Sequence, residues 1–465
     1  GGAGHHVGTL SVSHAGSQCE CYICSPPEGR GRPGLTPAAA RSGERQRRRQ
    51  NPEPRSGPQE PAAQIQEQLK PAAEVGKVNF LDISPVLCIN QGDFVGGILS
   101  RFLPRWRRLT RDPEILQFVT GTPLNFVTSP IQRRLPHEIV FPHNEATLVK
   151  RELDKFLSQD IVEKSVINVG DYCSNLFTRP KKTPGSIRLI LSLKSLNKFV
   201  KYIHFKMETL QTVLLLLKPG DFMTSIDLSQ SFYHVKVREA DQKYLKFLSL
   251  GQIWAMKVLP MGYRDSPRVF TRLMKVPMQY LRSNLGVLCS HFIDDVITLS
   301  PTRAQAVQDT GYTGNTLSFC GFHINLPKSV TDPTQLMGHL GFNVDSVNMT
   351  LHILTEKAEK LVKLAQKLLA APGGMVCIRQ VAQFVGTCIA ACPALEYGPF
   401  HTKELEISKT KALNANGWNF DGSMTLSQYD MLDIEWWQNN IRGAFSPILS
   451  PPVDWDIYSD VSGVG

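Results

Sequence analysis

Two adjacent aspartates, Asp294 and Asp295, interrupt the run His291-Phe292-Ile293-Asp294-Asp295-Val296-Ile297-Thr298-Leu299, whose β-branched and apolar residues otherwise read as a buried strand. Neighbouring carboxylates repel, and an apolar setting makes the repulsion costly unless a positive charge sits on them. Hard divalent cations such as Mg²⁺ meet that need through carboxylate oxygens. A strand-turn-strand hairpin with Asp-Asp at its tip therefore suits a two-metal phosphoryl-transfer centre. The plainer alternative is an acidic turn, because Asp favours turns.

A two-metal centre needs carboxylates from more than one element. Asp227 is the natural partner, since it ends the apolar strand Phe222-Met223-Thr224-Ser225-Ile226-Asp227-Leu228. A strand-end Asp can also cap the following helix, and the two roles are compatible.

The 465 residues carry a net charge of +10 and a pI near 9.1, which favours a polyanionic partner. No stretch approaches the roughly 18 apolar residues of a membrane span, so no membrane partner is expected. No secretory signal is visible, and the ten cysteines are mostly scattered, which suits a reducing compartment, cytoplasmic or nuclear. Cys19, Cys21 and Cys24, with His14, form one cluster that matches no common zinc module. The chain lacks an initiator Met and stops abruptly at Gly465, so it reads as a fragment.

Residues 1–75 are rich in Gly, Pro, Arg, Gln and Ala, show no apolar period and read as a disordered basic tail. From Val95, Leu99, Phe102, Leu103, Trp106 and Leu109 lie at helical spacing, decorated by Arg101, Arg105, Arg107, Arg108 and Arg111, although Pro104 argues against one continuous helix. That segment is either an amphipathic helix with a basic outer face or a nucleic-acid contact. Further helices are expected over Glu145 to Leu157, Met207 to Leu217 and Ser266 to about Leu281. Strands are expected over Ser174 to Thr178, Ile187 to Leu193 and Phe222 to Leu228, with a hairpin near Gly251. Beyond Leu351 the chain reads as mainly helical, and Trp455 to Asp460 as a new strand.

Taken in order, several motifs resemble those of reverse transcriptases. They are Ser225-Ile226-Asp227 with Phe232-Tyr233; Leu259-Pro260-Met261-Gly262-Tyr263 with Ser266-Pro267 and Phe270; Phe292-Ile293-Asp294-Asp295; Gly321-Phe322 with Lys328; and Leu340-Gly341-Phe342. Lys181-Lys182 and Arg188 ahead of Leu196-Asn197-Lys198 resemble the family's fingers. Gly96-Gly97, Arg101-Phe102, Trp106, Leu109-Thr110 and Asp112-Pro113, together with Lys218-Pro219-Gly220-Asp221, Pro267-Arg268-Val269-Phe270-Thr271 and Trp436-Trp437, are similar to the DIRS-type, tyrosine-recombinase group of retrotransposons.

The resemblance implies an α+β, right-hand polymerase fold: fingers, a palm with an antiparallel sheet, a helical thumb and connection, and the truncated start of an RNase H-like domain. The implied division is an N-terminal extension over 76–144, fingers and palm over 145–350, thumb and connection over 351–455, and the truncated strand over 456–465. It implies an RNA-directed DNA polymerase that extends a primer on an RNA or DNA template with deoxynucleoside triphosphates. Asp227, Asp294 and Asp295 would hold two Mg²⁺ ions, for which Mn²⁺ could substitute. Lys181 and Arg188 would meet the triphosphate, and Met261 and Gly262 would lie against nucleotide and template. Phe232 would be the ring that collides with a ribose 2′-hydroxyl; its alternative is a core aromatic. Leu340, Gly341 and Phe342 would be the primer grip. Lys328 matches the residue that would protonate departing pyrophosphate, or is a simple surface lysine. Asp460 would be the first carboxylate of the RNase H-like domain, whose activity is not expected in so short a remnant. An element-encoded tyrosine recombinase is the implied partner. The alternatives are a decayed, inactive polymerase fold that only binds nucleic acid, and an RNA-templated RNA polymerase, against which Phe232 argues.

Some positions depart from that pattern. Gln230 and Ser192 replace residues of other character, and Asp265 stands where small residues are usual. Gly311 and Gly314 fall where a helix is expected, at a cost of about 1 kcal/mol each. These departures suggest a copy under weak constraint.

Overall fold

A computed structural model of the chain describes residues 81–449, apart from 90 and 182. The basic tail, the Cys19 cluster, Lys182 and the strand carrying Asp460 lie outside the described residues.

The segment from Val95 forms a 3₁₀ turn, Ile98–Phe102, that passes into helix α1, Leu103–Leu109. Pro104 sits in the first turn of α1, where its missing N–H costs nothing. Trp106, fully buried, donates its ring N–H to the Cys320 carbonyl at 2.9 Å and fixes the helix to the body of the chain. Helix α2, Pro113–Gly121, follows, capped by Asp112. Helix α3, His143–Ser158, buries Val149 and Leu153 as its apolar stripe requires.

A five-stranded sheet comes next in the chain: β1 (Val162–Ser165), β2 (Cys173–Pro180), β3 (Ile187–Leu191) and, further on, β5 (Lys246–Ser249) and β6 (Gln252–Met256), in the order β1-β6-β5-β2-β3. All of its pairs are antiparallel except β2 with β5. Between its two parts lie helix α4 (Leu210–Leu216) and strand β4 (Phe222–Asp227).

Strand β4 belongs to a second, wholly antiparallel sheet. Helix α5 (Ser266–Asn284) leads into β7 (Leu288–Phe292) and β8 (Asp295–Ser300), helix α6 (Arg303–Phe319) and β9 (Val330–Thr334), giving the order β7-β8-β4-β9. Strand alternation divides β4 into two faces. Thr224 bonds Thr298 at 2.6 Å and Thr310 of α6 at 2.7 Å, so the face of Thr224 and Ile226 is backed by helices. Asp227 shares the opposite face with Met223, which packs into a cluster built mainly from residues after 337.

Those later residues form a sheet β10 (Leu336–His339), β11 (Phe342–Asp345), β12 (Thr350–Ile353) and β13 (Phe445–Pro447), with helices α7 (Thr355–Leu369), α8 (Ile378–Ala391), α9 (Phe400–Ala415) and α10 (Gln428–Asn440). Leu361, Val362, Ala365 and Leu368 of α7, and Ile378, Val381, Phe384, Val385 and Cys388 of α8, lie at helical spacing and are buried as core faces.

Two departures acquire a physical reason. Gly311 and Gly314 lie inside α6, and residues 81–89 run across them as an extended strap whose alternate side chains turn inward. A Cβ on Gly311 would come within 1.7 Å of the Pro85 carbonyl oxygen, and one on Gly314 within 2.3 Å of Leu87 Cδ1. Asn315 completes the dock, donating to the Ser84 and Val86 carbonyls at 2.8 and 2.7 Å and accepting from the Cys88 N–H at 3.0 Å. The glycines are a close-approach surface rather than decay. Asp265 is likewise structural. It is buried, forms a two-pronged pair with Arg268 at 2.6 and 2.9 Å, and accepts from Asn125 at 3.2 Å. Arg268 also reaches Glu114 of α2 at 3.0 Å, tying the N-terminal extension to α5. Nothing in the structure explains Ser192.

Candidate active site

Asp227 ends β4 and lies in register with Asp295, the first residue of β8. Phe292 pairs with Asp295, so Ile293 and Asp294 are the two residues of the β7–β8 turn. Ile293 adopts φ 56°, a left-handed conformation that a β-branched residue rarely takes, and such backbone is held only where the surroundings over-determine it. One tether is the Leu228 N–H, which donates to the Asp294 carbonyl at 3.0 Å and ties the turn to the end of β4.

The Asp227 carboxylate accepts from Asn325 Nδ2 at 2.9 Å, while the Asn325 N–H donates to the Asp227 carbonyl at 2.8 Å. The Asp227 N–H donates to Ser329 Oγ at 3.1 Å. Asn325 and Ser329 bracket Lys328, whose charge acts on both Asp227 and Asp294. Burial pushes the Asp227 carboxyl above its ordinary range, with Asp295 adding to the rise, while Lys328 and Asn325 pull it down. Asp294 is raised too, again chiefly by burial and further by Asp227 and Asp295. Burial first, and the neighbouring carboxylates second, thus disfavour the ionised form of Asp227 and Asp294.

Two supporting groups had no sequence signal that the motif order supplied. His339, buried at the end of β10, places Nδ1 3.2 Å from Asp295 Oδ2, with an approach too oblique for a well-formed hydrogen bond. Glu208 grips β7: it accepts from Arg282 at 2.7 Å, Ser290 Oγ at 2.8 Å and the His291 N–H at 3.1 Å. Burial alone would raise the Glu208 carboxyl, but His291 and Arg282 hold it well below the usual carboxylate range.

The remaining sequence candidates fall into three places. Lys181 and Arg188 belong to the β2–β3 hairpin of the first sheet, where Lys181 pairs with Glu152 at 3.4 Å and Arg188 lies across from Arg179; neither is ion-paired to the three aspartates. Met261 is half exposed, and Gly262 turns with φ 87°. Asn197 clamps that turn, donating to the Gly262 carbonyl at 2.8 Å and accepting from the Arg264 N–H at 2.9 Å. Phe232 lies in the 3₁₀ turn Ser231–His234, 9% exposed, edge-on to Phe270. Leu340 and Gly341, with φ 46° and 87°, make the tight turn between β10 and β11, and Lys357 lies over the Phe342 ring at 4.9 Å. Asp460 lies outside the described residues.

As placed, no three His, Cys, Asp or Glu side chains among the described residues converge closely enough to enclose a metal ion. The donor set still suits a hard divalent cation: oxygen ligands only, two of them carboxyls raised by burial and mutual repulsion.

Residues 179–344 match the family described as "Reverse transcriptase (RNA-dependent DNA polymerase)". The chain is 23% identical over 261 residues to the retrovirus-related Pol polyprotein from transposon opus of Drosophila melanogaster, covering 55% of this chain and 25% of that protein. It is 26% identical over 158 residues to a putative enzymatic polyprotein of Cassava vein mosaic virus (33% of this chain, 24% of that protein). It is 23% identical over 219 residues to the transposon Tf2-3 polyprotein of Schizosaccharomyces pombe (47% and 16%). The chain therefore spans about a quarter or less of the curated relatives it matches. Among solved structures, foamy viral protease-reverse transcriptase superposes with TM-score 0.56 in a complex with double-stranded DNA and 0.54 in one with an RNA/DNA hybrid. Both are 16% identical; the first match covers 77% of this chain and 62% of that one, the second 76% and 48%. The fold is accordingly the right-hand polymerase fold. No helix among the described residues is long and apolar enough to cross a membrane.

Proposed function

Starting from the reverse transcriptase domain of retrotransposon or retroviral type that this chain carries, we propose that the chain is an RNA-directed DNA polymerase that extends a primer on an RNA or DNA template with deoxynucleoside triphosphates. The observation that supports the reading is that Asp227 lies in register with Asp295 and one strand end from the turn that carries Asp294, in the second sheet, which we take as the palm, and that the charge of Lys328 acts on Asp227 and Asp294.

Asp227 and Asp294 would hold two divalent ions, with Asp295 completing the cluster and Mg²⁺ as the physiological ion. When bound, these ions lower the pKa of the primer 3′-hydroxyl and steady charge on the α-phosphate. The protein's own groups do the rest. Asn325 and Ser329 fix Asp227 through side chain and backbone. Glu208 and the Leu228 N–H hold the hairpin that presents Asp294. Lys328 would hold a proton for the leaving pyrophosphate. Lys181 and Arg188 take the triphosphate when the fingers close, and Arg is suited to it by its planar fork. Met261 and Gly262 bed the nucleotide and template, Phe232 excludes the 2′-hydroxyl, and Leu340, Gly341 and Phe342 grip the primer.

The DIRS-type assignment rests on the segments quoted above, and with it come a tyrosine recombinase partner, an RNase H-like domain begun at Asp460, and an intracellular site of action. Extension of a DNA primer on an RNA template tests the reading. Deoxynucleotide incorporation that needs Mg²⁺ or Mn²⁺ supports it. Ribonucleotide preference would select an RNA polymerase, and intact binding without extension a decayed copy.

A further inference from the structure

The basic face of α1 is not used by the chemistry above. Arg101, Arg105, Arg107, Arg108 and Arg111 are all exposed, and none is ion-paired among the described residues. The carboxylates nearest in sequence are engaged elsewhere: Asp112 by Arg272 at 3.1 Å, and Glu114 by Arg272 at 2.7 Å and Arg268 at 3.0 Å. Three of them lie on α1, Arg101 in the turn before it and Arg111 just after it; so much like charge over residues 101–111 repels itself, and the usual relief is either solvent or a polyanion.

Three details separate this row from a merely solvated one. The helix is rigidly seated, because Trp106 is fully buried and Phe102 packs where a Cβ on Gly321 would come within 2.4 Å. The guanidinium groups are partly pre-organised: Arg105 lies 4.9 Å over Phe102 and 5.2 Å over Phe319, and Arg108 5.6 Å over Phe319. A guanidinium laid on a ring loses less entropy on binding phosphate, and Arg105, which donates one N–H to the Phe319 carbonyl at 3.3 Å, keeps its others for it. Finally, α1 is held at the C-terminal end of α6 by Trp106 and Arg105, which donate to the Cys320 and Phe319 carbonyls, and α6 packs on the Thr224 face of β4, whereas Asp227 shares the opposite face with Met223.

We propose that this arginine face is a second nucleic-acid site, separate from the polymerase cleft, that binds the phosphodiester backbone without reading sequence. Arg suits that role, since phosphate contacts position a strand while base edges specify it. The site would hold RNA or DNA strand running outside the cleft, keeping the chain on a long template. It does not depend on polymerase chemistry, so its test can be run on an inactive chain.

The test uses the whole chain carrying Asp294→Asn and compares two probes by fluorescence anisotropy over a salt series. One is a single-stranded RNA of about 40 nucleotides, the other a primer–template duplex of about 12 base pairs with a minimal overhang. Arg101→Gln, Arg107→Gln and Arg111→Gln are combined, leaving Arg105 and Arg108 on their rings. Each lost contact should lower the slope of log K against log salt by roughly 0.7, so the triple variant should lose about 2 on the long RNA and almost nothing on the short duplex. The matching Arg→Lys triple should retain most of the slope. An unchanged slope on the long RNA in a folded triple variant would overturn the proposal. So would equal losses on both probes, which would place the arginines in the cleft. Vesicles of anionic phospholipid serve as a third probe: a loss confined to vesicles would make the face a membrane contact and overturn the proposal. If the triple variant does not fold, Arg107→Gln alone should lower the slope on the long RNA by roughly 0.7, and no change would count equally against the site.

Discussion

Gly311→Ala separates two physical accounts of helix α6. In an ordinary helix interior this change is favourable by about 1 kcal/mol, because Ala has the higher helix propensity. Here the new methyl would lie 1.7 Å from the Pro85 carbonyl oxygen, 2.4 Å from its carbon and 3.0 Å from the Leu87 nitrogen, all backbone atoms that cannot rotate away. The strap must lift. Lifting re-exposes Leu81, now 1% exposed, at about 2 kcal/mol. It also breaks the three Asn315 bonds at about 0.5 kcal/mol each, the low end because they are solvent-exposed. Partial burial of Ile83 and Ile89 adds to the loss, and the entropy recovered by the freed strap offsets part of it. A clash against fixed backbone of this kind is expected to destabilise the chain by about 1–3 kcal/mol, opposite in sign to the propensity effect. Thermal unfolding and hydrogen exchange at the Leu81 and Cys88 amides read it out; both amides should lose protection, since their partners are Tyr280 Oη and Asn315 Oδ1. In a chain beginning at Gln91 the same substitution should instead stabilise. A full-length Gly311→Ala protein as stable as the parent, with those amides still protected, would refute the docking argument.

Other consequences follow from the site. Phe232→Val should raise ribonucleotide incorporation relative to deoxynucleotide by tenfold or more in a primer-extension assay, and unchanged sugar discrimination would return Phe232 to a core role, packed on Phe270. The Asp294 carboxyl is raised by burial, so the folded chain holds its proton more tightly than the unfolded chain; stability then falls as pH rises from the ordinary carboxylate pKa through the raised one and stays lower above it. Asp294→Asn removes that loss: its metal-free melting temperature at pH 7 should exceed the parent's, the gap should close at acid pH, and divalent ions should stabilise the parent more than the variant. Ile293→Gly relieves the positive φ, worth about 1–2 kcal/mol, yet loosens Asp294; a higher melting temperature with a lower kcat and little change in KM is expected, and an unchanged kcat would mean the strain has no catalytic purpose.

The carboxylate cluster was legible because its signals are local. Asp227 ends an apolar strand, Asp294-Asp295 breaks another, and period-2 alternation forces Asp227 and Asp295 onto one face once the strands pair. Helices α3 and α5 were legible for the same reason, as was the β5–β6 hairpin around Gly251. Groups that act across long sequence separation were not. His339 approaches Asp295 from the end of β10, in a different sheet, and Glu208 reaches β7 from ahead of α4; neither carries a local signature. The strap was missed although Leu81, Ile83, Pro85, Leu87 and Ile89 alternate, because so short a run beside a low-complexity tail looks like linker. Gly311, Gly314 and Asp265 looked like erosion because propensity scores a residue against an average helix, while these positions answer to Pro85, Leu87 and Arg268.

If Asp227, Asp294 and Asp295 form the proposed centre of a metal-dependent DNA polymerase, incorporation must need both these carboxylates and the ion. The most direct measurement is single-turnover incorporation of one deoxynucleotide at a DNA primer end on an RNA template, with Mg²⁺ or Mn²⁺ supplied or chelated, by the parent chain, Asp227→Asn and Asp294→Asn. The account predicts incorporation by the parent only when the ion is present, and a fall of about a thousandfold or more in each variant with primer–template affinity retained. Incorporation at parental rate by either variant, or by the parent after chelation, would contradict it.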